Sequence, residues 1–419
     1  MSSTSFSRRP IATFAAPLLL SALVLAACAG SDSTTDSTEA PTTTVATTEA
    51  PTTSAAVTTT TVSIEELANA YAEPGPFPIG VTTLTLDKGN KVEVWYPAPE
   101  GTAVGDITYD VRDFTPDAIK AILTGDVPAT FTFQGARDAD VADGAFPVVL
   151  FSHGFTGIRL QSTFLTSHLA SWGFIVASPD HPSRDLTNVL GGTASGDRDD
   201  SVDDLLKTLD LVESQGADTT SRFSGHVDNE HVVAVGHSAG GGTILGAALD
   251  PRVDGYVSMA SGILLGGNDS TTSTTAPPQE LPDTPSFFLA GAVDQVISAE
   301  DRTRPSFEQV PTPSRLWILD GVGHNGFDDF CTFGNGTGII GVAEASGLGG
   351  LLDAQPQLRS LGEDGCIPPA VPVDQTFPAI RHAVTAWIRN LVGTDAEPVG
   401  LGPEVADAYP VKITIEERP

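Results

Sequence analysis

The stretch Val232–Gly242 reads VVAVGHSAGGG and decides the fold that we expect for this chain. Its apolar, valine-rich beginning is typical of a buried strand that stops at Gly236, and the residues after Gly240 are typical of a helix. Ser238 lies at the apex of the turn between them, where a strained backbone would expose its hydroxyl. A side chain at either flanking glycine would collide with the neighbouring strand or helix. The pattern predicts a nucleophilic serine at the end of a strand.

Short apolar segments alternate with helix-like segments along most of the chain. The expected strands are Phe146–Ser152, Phe174–Ser178, Val232–Val235, Gly255–Met259, Phe287–Ala290 and Leu316–Leu319. The expected helices are Gln161–Trp172, Ser201–Glu213, Gly241–Leu249, Ser298–Gln309 and Pro378–Val392. This alternation predicts an α/β fold with a doubly wound, mostly parallel sheet, in which ligands bind at the carboxyl ends of the strands.

A hairpin and several insertions modify this pattern. Val81–Leu86 and Lys91–Tyr96 read as two strands around a turn, so an N-terminal β-hairpin is expected. Loop-like insertions interrupt the alternation at Gly101–Gly144, Gly262–Pro285 and Thr332–Gly365. Long connections of this kind are frequently lids or binding loops, so we expect them near the active site, and each is a candidate to cover it.

The serine needs a base, and the base needs an acid. His324 follows an expected strand in a glycine-rich loop, whereas His382 lies in the closing helix on its expected polar, solvated side. We therefore expect His324 to be the base that takes the proton of Ser238. Asp294, just past the end of another expected strand, is the favoured acid, and Asp320 is the alternative.

Two main-chain N–H groups are candidates for an oxyanion hole. The first belongs to Ala239, directly after the expected nucleophile. The second belongs to Phe155, in the SHGFTG loop that follows the expected strand Phe146–Ser152. Gly154 lets the backbone of this loop approach the substrate. His153 is expected to have a structural hydrogen-bonding role.

The N-terminal region has the features of an export signal and a tether. Basic residues precede the apolar run Ile11–Leu25, which is shorter than the ~20 residues that a membrane span needs. The following L-A-A-C resembles the bacterial lipoprotein box, which implies a signal peptide over residues 1–27 and acylation of Cys28; an ordinary secretory signal is the alternative. Residues 28–62 are rich in Thr, Ser and Pro and predict a flexible tether before a domain at 63–419. We expect an exported cell-membrane lipoprotein that faces the extracellular or envelope side.

Composition restricts the partners. The chain has 21 Lys and Arg against 53 Asp and Glu, a formal net charge of −32, so nucleic acid is excluded as a likely ligand and contact with a membrane is expected through the lipid anchor alone. No metal-binding motif occurs, and we expect a monomer without metal or cofactor. Cys331 and Cys366 are expected to form a disulfide in an exported protein, with two buried free thiols as the alternative.

The motifs FSHGF, GHSAGG and GVGH, together with the acid after FFLAGA, resemble the α/β-hydrolase superfamily. The segments PIGVTTLTL, VEVWYPAP and SPDHPSRD resemble platelet-activating-factor acetylhydrolase-like lipases. The segments HGFTG, LASWGFIVAS and GHSAGGGT are similar to bacterial cutinase-like polyester hydrolases. The resemblance covers roughly Tyr71–Val392 and implies the α/β-hydrolase fold and ester chemistry, and the chain order Ser238, Asp294, His324 is that of the superfamily.

These observations predict a serine carboxylic-ester hydrolase that acts through an acyl-enzyme on short-acyl lipids or small neutral esters. Three alternatives remain: a cutinase-like polyester hydrolase, an enzyme that transfers an acyl group to a wall glycan, and a non-catalytic binding lipoprotein on a hydrolase scaffold.

Overall fold

The computed structural model describes residues 62–123, 128–262 and 280–419. The strands within these ranges are β1 (Ile79–Thr85), β2 (Lys91–Pro97), β3 (Gly105–Asp110), β4 (Thr130–Arg137), β5 (Phe146–Ser152), β6 (Ile175–Pro179), β7 (Val227–His237), β8 (Gly255–Met259), β9 (Ser286–Gly291), β10 (Ser314–Leu319) and β11 (Ile413–Arg418). The helices are α1 (Ile64–Asn69), α2 (Asp117–Lys120), α3 (Thr163–Ser171), α4 (Leu186–Gly191), α5 (Arg198–Ala217), α6 (Ala239–Ala247), α7 (Arg304–Gln309), α8 (Phe333–Gly336), α9 (Gly338–Ala345), α10 (Gly349–Ala354), α11 (Pro356–Glu363) and α12 (Phe377–Leu391).

The strands form one sheet in the order β11-β10-β9-β8-β7-β5-β6-β2-β1-β4-β3. From β6 through β5, β7, β8 and β9 to β10, every neighbouring pair is parallel. The flanking strands β2 and β11 are antiparallel to β6 and β10. The predicted α/β fold with a mostly parallel sheet is therefore confirmed.

Both faces of the sheet are buried under helices. Along β5, Val149 and Phe151 belong to one apolar cluster, which also contains side chains of α3 and α12. Val148 and Leu150 belong to the other cluster, which contains side chains of α5 and α6. A strand that is covered on both faces reads as a continuous apolar run, and this explains why FPVVLFS identified β5.

The predicted hairpin is present, because β1 and β2 pair in antiparallel register from Ile79 with Pro97 to Thr85 with Lys91. The insertions are more ordered than their composition suggested. Gly101–Gly144 contains the antiparallel pair β3 and β4 as well as the short helix α2. Thr332–Gly365, which was expected to be a glycine-rich loop, contains the four helices α8 to α11.

Several predictions concern residues outside the described ranges. The signal peptide (residues 1–27), Cys28, residues 28–61 of the tether and most of the insertion Gly262–Pro285 all lie there. Across the described ranges, none of the helices combines the length and the apolar composition needed to cross a membrane.

Candidate active site

The predicted nucleophile lies on a strained turn. Strand β7 ends at His237 and α6 begins at Ala239, and Ser238 between them has φ 55° and ψ −119°. A positive φ is uncommon for a residue with a side chain, and residues with such strained backbones cluster at active sites and ligand-binding sites. An added Cβ at Gly240 would collide with the main-chain oxygen of Ser152, and this explains why a glycine follows the turn.

The other predicted residues follow different strands of the same sheet. Asp294 follows β9, His324 follows β10, and Phe155 follows β5, as Ser238 follows β7. Since these four strands are parallel, their carboxyl ends share one edge, and the topology alone brings residues from distant parts of the sequence together.

Ser238, His324 and Asp294 form a continuous chain of hydrogen bonds. The Oγ of Ser238 lies 2.9 Å from Nε2 of His324, and Nδ1 of His324 lies 2.9 Å from Oδ2 of Asp294. The other carboxylate oxygen of Asp294 accepts hydrogen bonds from the N–H groups of Val296 at 2.8 Å and Ile297 at 2.7 Å. A carboxylate at Nδ1 requires a proton there, which leaves Nε2 free to accept the serine proton.

The alternative acid and base lie elsewhere. The side chain of Asp320 is exposed, and its main-chain N–H donates to Lys412. His382 was predicted to be solvated, and this is wrong: it is fully buried, with Nε2 3.0 Å from the carbonyl oxygen of Gly400 and Nδ1 accepting from the N–H of Tyr71. Burial lowers the pKa of His382 to about 4. The side of α12 that carries His382 is covered by the segments around Tyr71 and Gly400, from the two ends of the domain. Helical spacing within α12 does not reveal this cover.

The two N–H groups predicted for the oxyanion hole are available. Neither Phe155 nor Ala239 donates its main-chain N–H to another described residue. The loop of Phe155 also lies against the nucleophile, since an added Cβ at Gly154 would come within 3.2 Å of Cβ of Ser238. The two N–H groups could therefore stabilise the negative charge that develops on a carbonyl oxygen when Ser238 attacks the carbonyl carbon.

A buried glutamine that the sequence analysis missed connects three parts of this site. Oε1 of Gln161 accepts from the N–H of Gly154 at 2.7 Å, and Nε2 donates to Oδ2 of Asp328 at 2.8 Å. The same Nε2 lies 2.8 Å from Nδ1 of His237, whose Nε2 lies 3.0 Å from the carbonyl oxygen of His324. Burial lowers the pKa of His237 to about 3, so this ring is neutral and can accept from Gln161 while it donates to the loop of His324. No local sequence pattern marks Gln161.

Asp364 is a second residue that sequence analysis missed. Its Oδ2 accepts from the N–H of Gln295 at 2.7 Å, and its Oδ1 accepts from the N–H of His324 at 3.3 Å. The carboxylate thus joins the loop that carries the acid to the loop that carries the base. Burial and the nearby charge of Asp294 both raise the pKa of Asp364, and burial is the larger cause.

A second serine, histidine and aspartate are hydrogen-bonded in the interior of the domain. Oγ of Ser152 lies 2.9 Å from Nε2 of His181, whose Nδ1 lies 3.2 Å from Oδ2 of Asp204. All three residues are buried, and the guanidinium of Arg184 donates to Oγ of Ser152 at 2.8 Å. Since substrate cannot reach Ser152, we assign this set a structural role beneath the loop of Phe155.

The predicted disulfide between Cys331 and Cys366 is present. Residues 333–363, here called the cap, contain α8 to α11 and lie between the two bridged cysteines. A cavity with about 980 Å³ of empty space, counted to its open mouth, lies between the cap and the residues Ser238 and His324.

Nothing in the described ranges indicates a metal centre, since no group of three or more His, Cys, Asp or Glu side chains there could hold an ion. The site therefore presents a serine that is hydrogen-bonded to a histidine, together with two N–H groups, to an apolar cavity.

Two family models match this chain. The model described as PET hydrolase-like matches residues 138–348, which is half of the 419-residue chain. The model described as platelet-activating factor acetylhydrolase, isoform II, matches residues 82–193.

Individual proteins give more distant matches. Cutinase est2 of Thermobifida alba is 24% identical over 185 residues, which are 43% of this chain and 54% of the cutinase. The match therefore spans about half the length of that relative. A ferulic acid esterase from Streptomyces cinnamoneus has a similar fold, with a TM-score of 0.59 and 21% identity, and the similarity covers 82% of this chain and 98% of the esterase.

Proposed function

Because the chain belongs to the PET hydrolase-like family, we propose that it hydrolyses carboxylic esters with Ser238 as its nucleophile. The observation that carries the proposal is the hydrogen-bond chain from Asp294 through His324 to Ser238, with 2.9 Å at each contact of the imidazole. It supports the predicted roles of base for His324 and orienting acid for Asp294. It also argues against a non-catalytic binding lipoprotein, which would not need this alignment.

The reaction has two halves. Oγ of Ser238 attacks the ester carbonyl while Nε2 of His324 takes the hydroxyl proton, and the N–H groups of Phe155 and Ala239 stabilise the oxyanion. The C–O bond to the alcohol then breaks, and His324 returns the proton to the departing alcohol. Water attacks the acyl-enzyme with His324 again as base, and the acid product and free Ser238 are released.

The substrate that fits is a neutral ester. Among the residues that the structure describes, those that line the cavity include no Lys, Arg, Asp or Glu, so none of their side chains would compensate a charged group of the substrate. The net charge of −32 also repels anionic substrates at long range. Small neutral esters and uncharged lipid esters satisfy both conditions, and neither a metal nor a cofactor is required for the chemistry.

A cutinase-like polyester hydrolase is the second candidate. The match to the PET hydrolase-like model and the similarity to a cutinase favour it. The two candidates share the same catalytic steps and differ in the shape of the bound substrate. Rates on polyester film and on soluble short-chain esters, measured with one enzyme preparation, separate them. If an alcohol is added as acceptor, formation of its acyl ester would instead indicate acyl transfer.

The export and anchoring of the protein are a separate part of the proposal. The L-A-A-C sequence supports a lipoprotein that is acylated at Cys28 and held at the outer side of the cell membrane, and we propose that it is a monomer. The intact mass of the mature protein tests this, because a mature chain that begins elsewhere than Cys28 is incompatible with it.

Active-site labelling tests the catalytic proposal. A fluorophosphonate probe should modify Ser238 in the wild-type protein, as mapped by peptide mass spectrometry, and Ser238→Ala should lose both labelling and ester hydrolysis. Losses of more than ~10⁴-fold are typical when the nucleophile of such a set is removed. Labelling at another residue, or hydrolysis by Ser238→Ala above about 1% of wild type, would overturn the assignment.

A further inference from the structure

The cavity at Ser238 continues beneath the cap and is walled by aliphatic side chains from both sides. Ile340, Leu352 and Leu361 come from the cap. The opposite wall includes Ile119 of α2 and Leu190 of α4. Apart from Thr115, the polar lining residues belong to the catalytic end, so the chemistry of the cavity matches a hydrocarbon chain that extends away from an ester carbonyl.

The cap is anchored to the loop of His324. The disulfide closes its base, and Nδ2 of Asn325 donates to the carbonyl oxygens of Leu361 at 2.6 Å and Asp364 at 2.8 Å. On the opposite side, the N–H of Gly334 donates to the carbonyl oxygen of Pro128 at 2.9 Å. The position of the apolar wall is therefore fixed relative to the residue next to the proposed base.

Charges of the cap lie on its outer surface. Arg359 of α11 forms ion pairs with Glu344 at 2.6 Å, with Asp353 at 3.1 Å and with Glu363 at 3.0 Å, which connects α9, α10 and α11. The side chains of the three acids are partly or largely exposed. The charges of the cap lie outside, whereas its leucines and isoleucines line the cavity, with Leu351 at 43% exposure at its surface. The cap therefore forms one wall of an apolar pocket.

We propose that the cavity under the cap binds one extended aliphatic chain of a monomeric ester, so that esters with a medium or long chain on one side of the ester group are better substrates than esters with short chains on both sides. The inference rests on the proposed function and extends it beyond the short-acyl substrates that the sequence predicts. Each buried methylene contributes about fourfold to kcat/KM, the equivalent of ~0.8 kcal/mol, as long as the chain fits. A polymer must extend on both sides of the ester that is cleaved, whereas a monomeric ester needs room for only one extended chain.

The test is a chain-length profile of kcat/KM. p-Nitrophenyl esters with acyl chains from acetate to laurate form one series, and acetate esters of alcohols of matching length form the other. We expect a steep rise in one series, which identifies the part of the ester that occupies the cavity. A flat profile in both series, or film hydrolysis as fast as that of the best monomer, overturns the inference while fluorophosphonate labelling of Ser238 still supports the proposed function.

Two cap variants locate the effect. Ala343 lines the cavity and Ala345 is exposed two residues later on the same helix, so Ala343→Phe and Ala345→Phe form a matched pair. Ala343→Phe should lower the ratio of kcat/KM for the laurate ester to that for the acetate ester by tenfold or more, whereas Ala345→Phe should leave the ratio unchanged. If Ala343→Phe fails to fold, as judged by thermal unfolding, Leu352→Ala should move the optimum toward longer chains. An unchanged profile in the folded cavity variant excludes the cavity as the chain-binding site.

Discussion

The carboxylate of Asp364 accepts a hydrogen bond from the main-chain N–H of His324 at 3.3 Å. The same carboxylate accepts from the N–H of Gln295, the residue after Asp294, at 2.7 Å. One side chain, two residues before the disulfide-bonded Cys366, therefore connects the loop of the acid to the loop of the base. We infer that Asp364 is a positioning residue for the proposed reaction.

Asp364→Asn should reduce kcat about tenfold, because hydrogen bonds to a charged group contribute ~1.5–3 kcal/mol and the amide replaces one acceptor by a donor. KM should change little, because Asp364 does not line the cavity. The melting temperature should fall by a few degrees, because the same hydrogen bonds stabilise the folded protein. Steady-state kinetics on a soluble p-nitrophenyl ester and thermal unfolding measure the three quantities.

The matched control is Asp353→Asn, which removes the same charge from a cap side chain that is 75% exposed. This variant should keep the kcat of the wild type. An equal loss of kcat in both variants would mean that net charge, and not the position of His324, explains the effect.

The sequence predicted the parts of the site that depend on the ends of core strands. Ser238, Asp294 and His324 each follow a continuous apolar run, and this is a local pattern. Asp364 accepts from main-chain N–H groups 40 and 69 residues away. Gln161 contacts the side chains of His237 and Asp328, which lie 76 and 167 residues away, so no spacing marks either residue. Their roles follow only from tertiary contacts.

The elements that were missed lie outside the doubly wound core. The cap helices contain many glycines, which are poor helix formers in isolation. The burial of apolar cap side chains such as Ile340, Val342 and Leu352 compensates for this low propensity. Among the strands that the structure describes, β11 pairs with β10 alone and is polar and half-exposed, so it lacks the apolar run of a central strand. Local propensity therefore fails to predict helices and strands whose stability comes mainly from tertiary contacts.

Opening the disulfide should affect the catalytic loop as well as stability. The double variant Cys331→Ser and Cys366→Ser should lose ~2–4 kcal/mol in the free energy of unfolding. It should also lose activity at temperatures where it remains folded, because Asn325 and His324 then lose the fixed position of their partners in 361–364. Unfolding curves and kcat, measured at the same temperature, separate the two losses.

The wild-type protein under mild reduction should behave like the double variant, which itself should not respond to the reductant. A fully folded double variant with unchanged kcat would show that the bridge contributes to stability alone.

Asp329 should make stability depend on pH. It is buried, its Oδ2 accepts from the N–H of Phe164 at 2.9 Å, and burial raises its pKa to about 7. An unfolded aspartate has a pKa of ~3.9, so the folded protein binds more protons between about pH 4 and pH 7. The contribution of this group to stability is complete below that window and is lost as the pH rises through it.

Asp329→Asn cannot lose a proton, so its stability relative to wild type should increase from about pH 4 to pH 8, by a few degrees in melting temperature. Thermal unfolding across this range measures the difference. The exposed Asp320→Asn is the control and should show no such trend. A difference between Asp329→Asn and wild type that is independent of pH would mean that Asp329 is ionised throughout the range.

Gln161 should contribute to the rate of the reaction through the oxyanion loop. Its Oε1 accepts a hydrogen bond from the N–H of Gly154, the residue before Phe155. Its Nε2 donates to Oδ2 of Asp328 and to Nδ1 of His237. Gln161→Leu keeps the approximate volume and removes all of these hydrogen bonds. Removing an oxyanion donor costs ~10²–10³ in kcat, and displacing the loop that carries it should approach the lower of these values.

The effect of Gln161→Leu should appear in kcat with little change in KM, because the oxyanion forms only on the way to the acyl-enzyme. Stability should fall as well, since buried partners are left unsatisfied, so kcat has to be measured well below the melting temperature. Gln309→Leu, at an exposed position, is the matched control for the substitution itself. If Gln161→Leu raises KM and leaves kcat intact, the glutamine shapes the binding site and the Phe155 N–H does not depend on it.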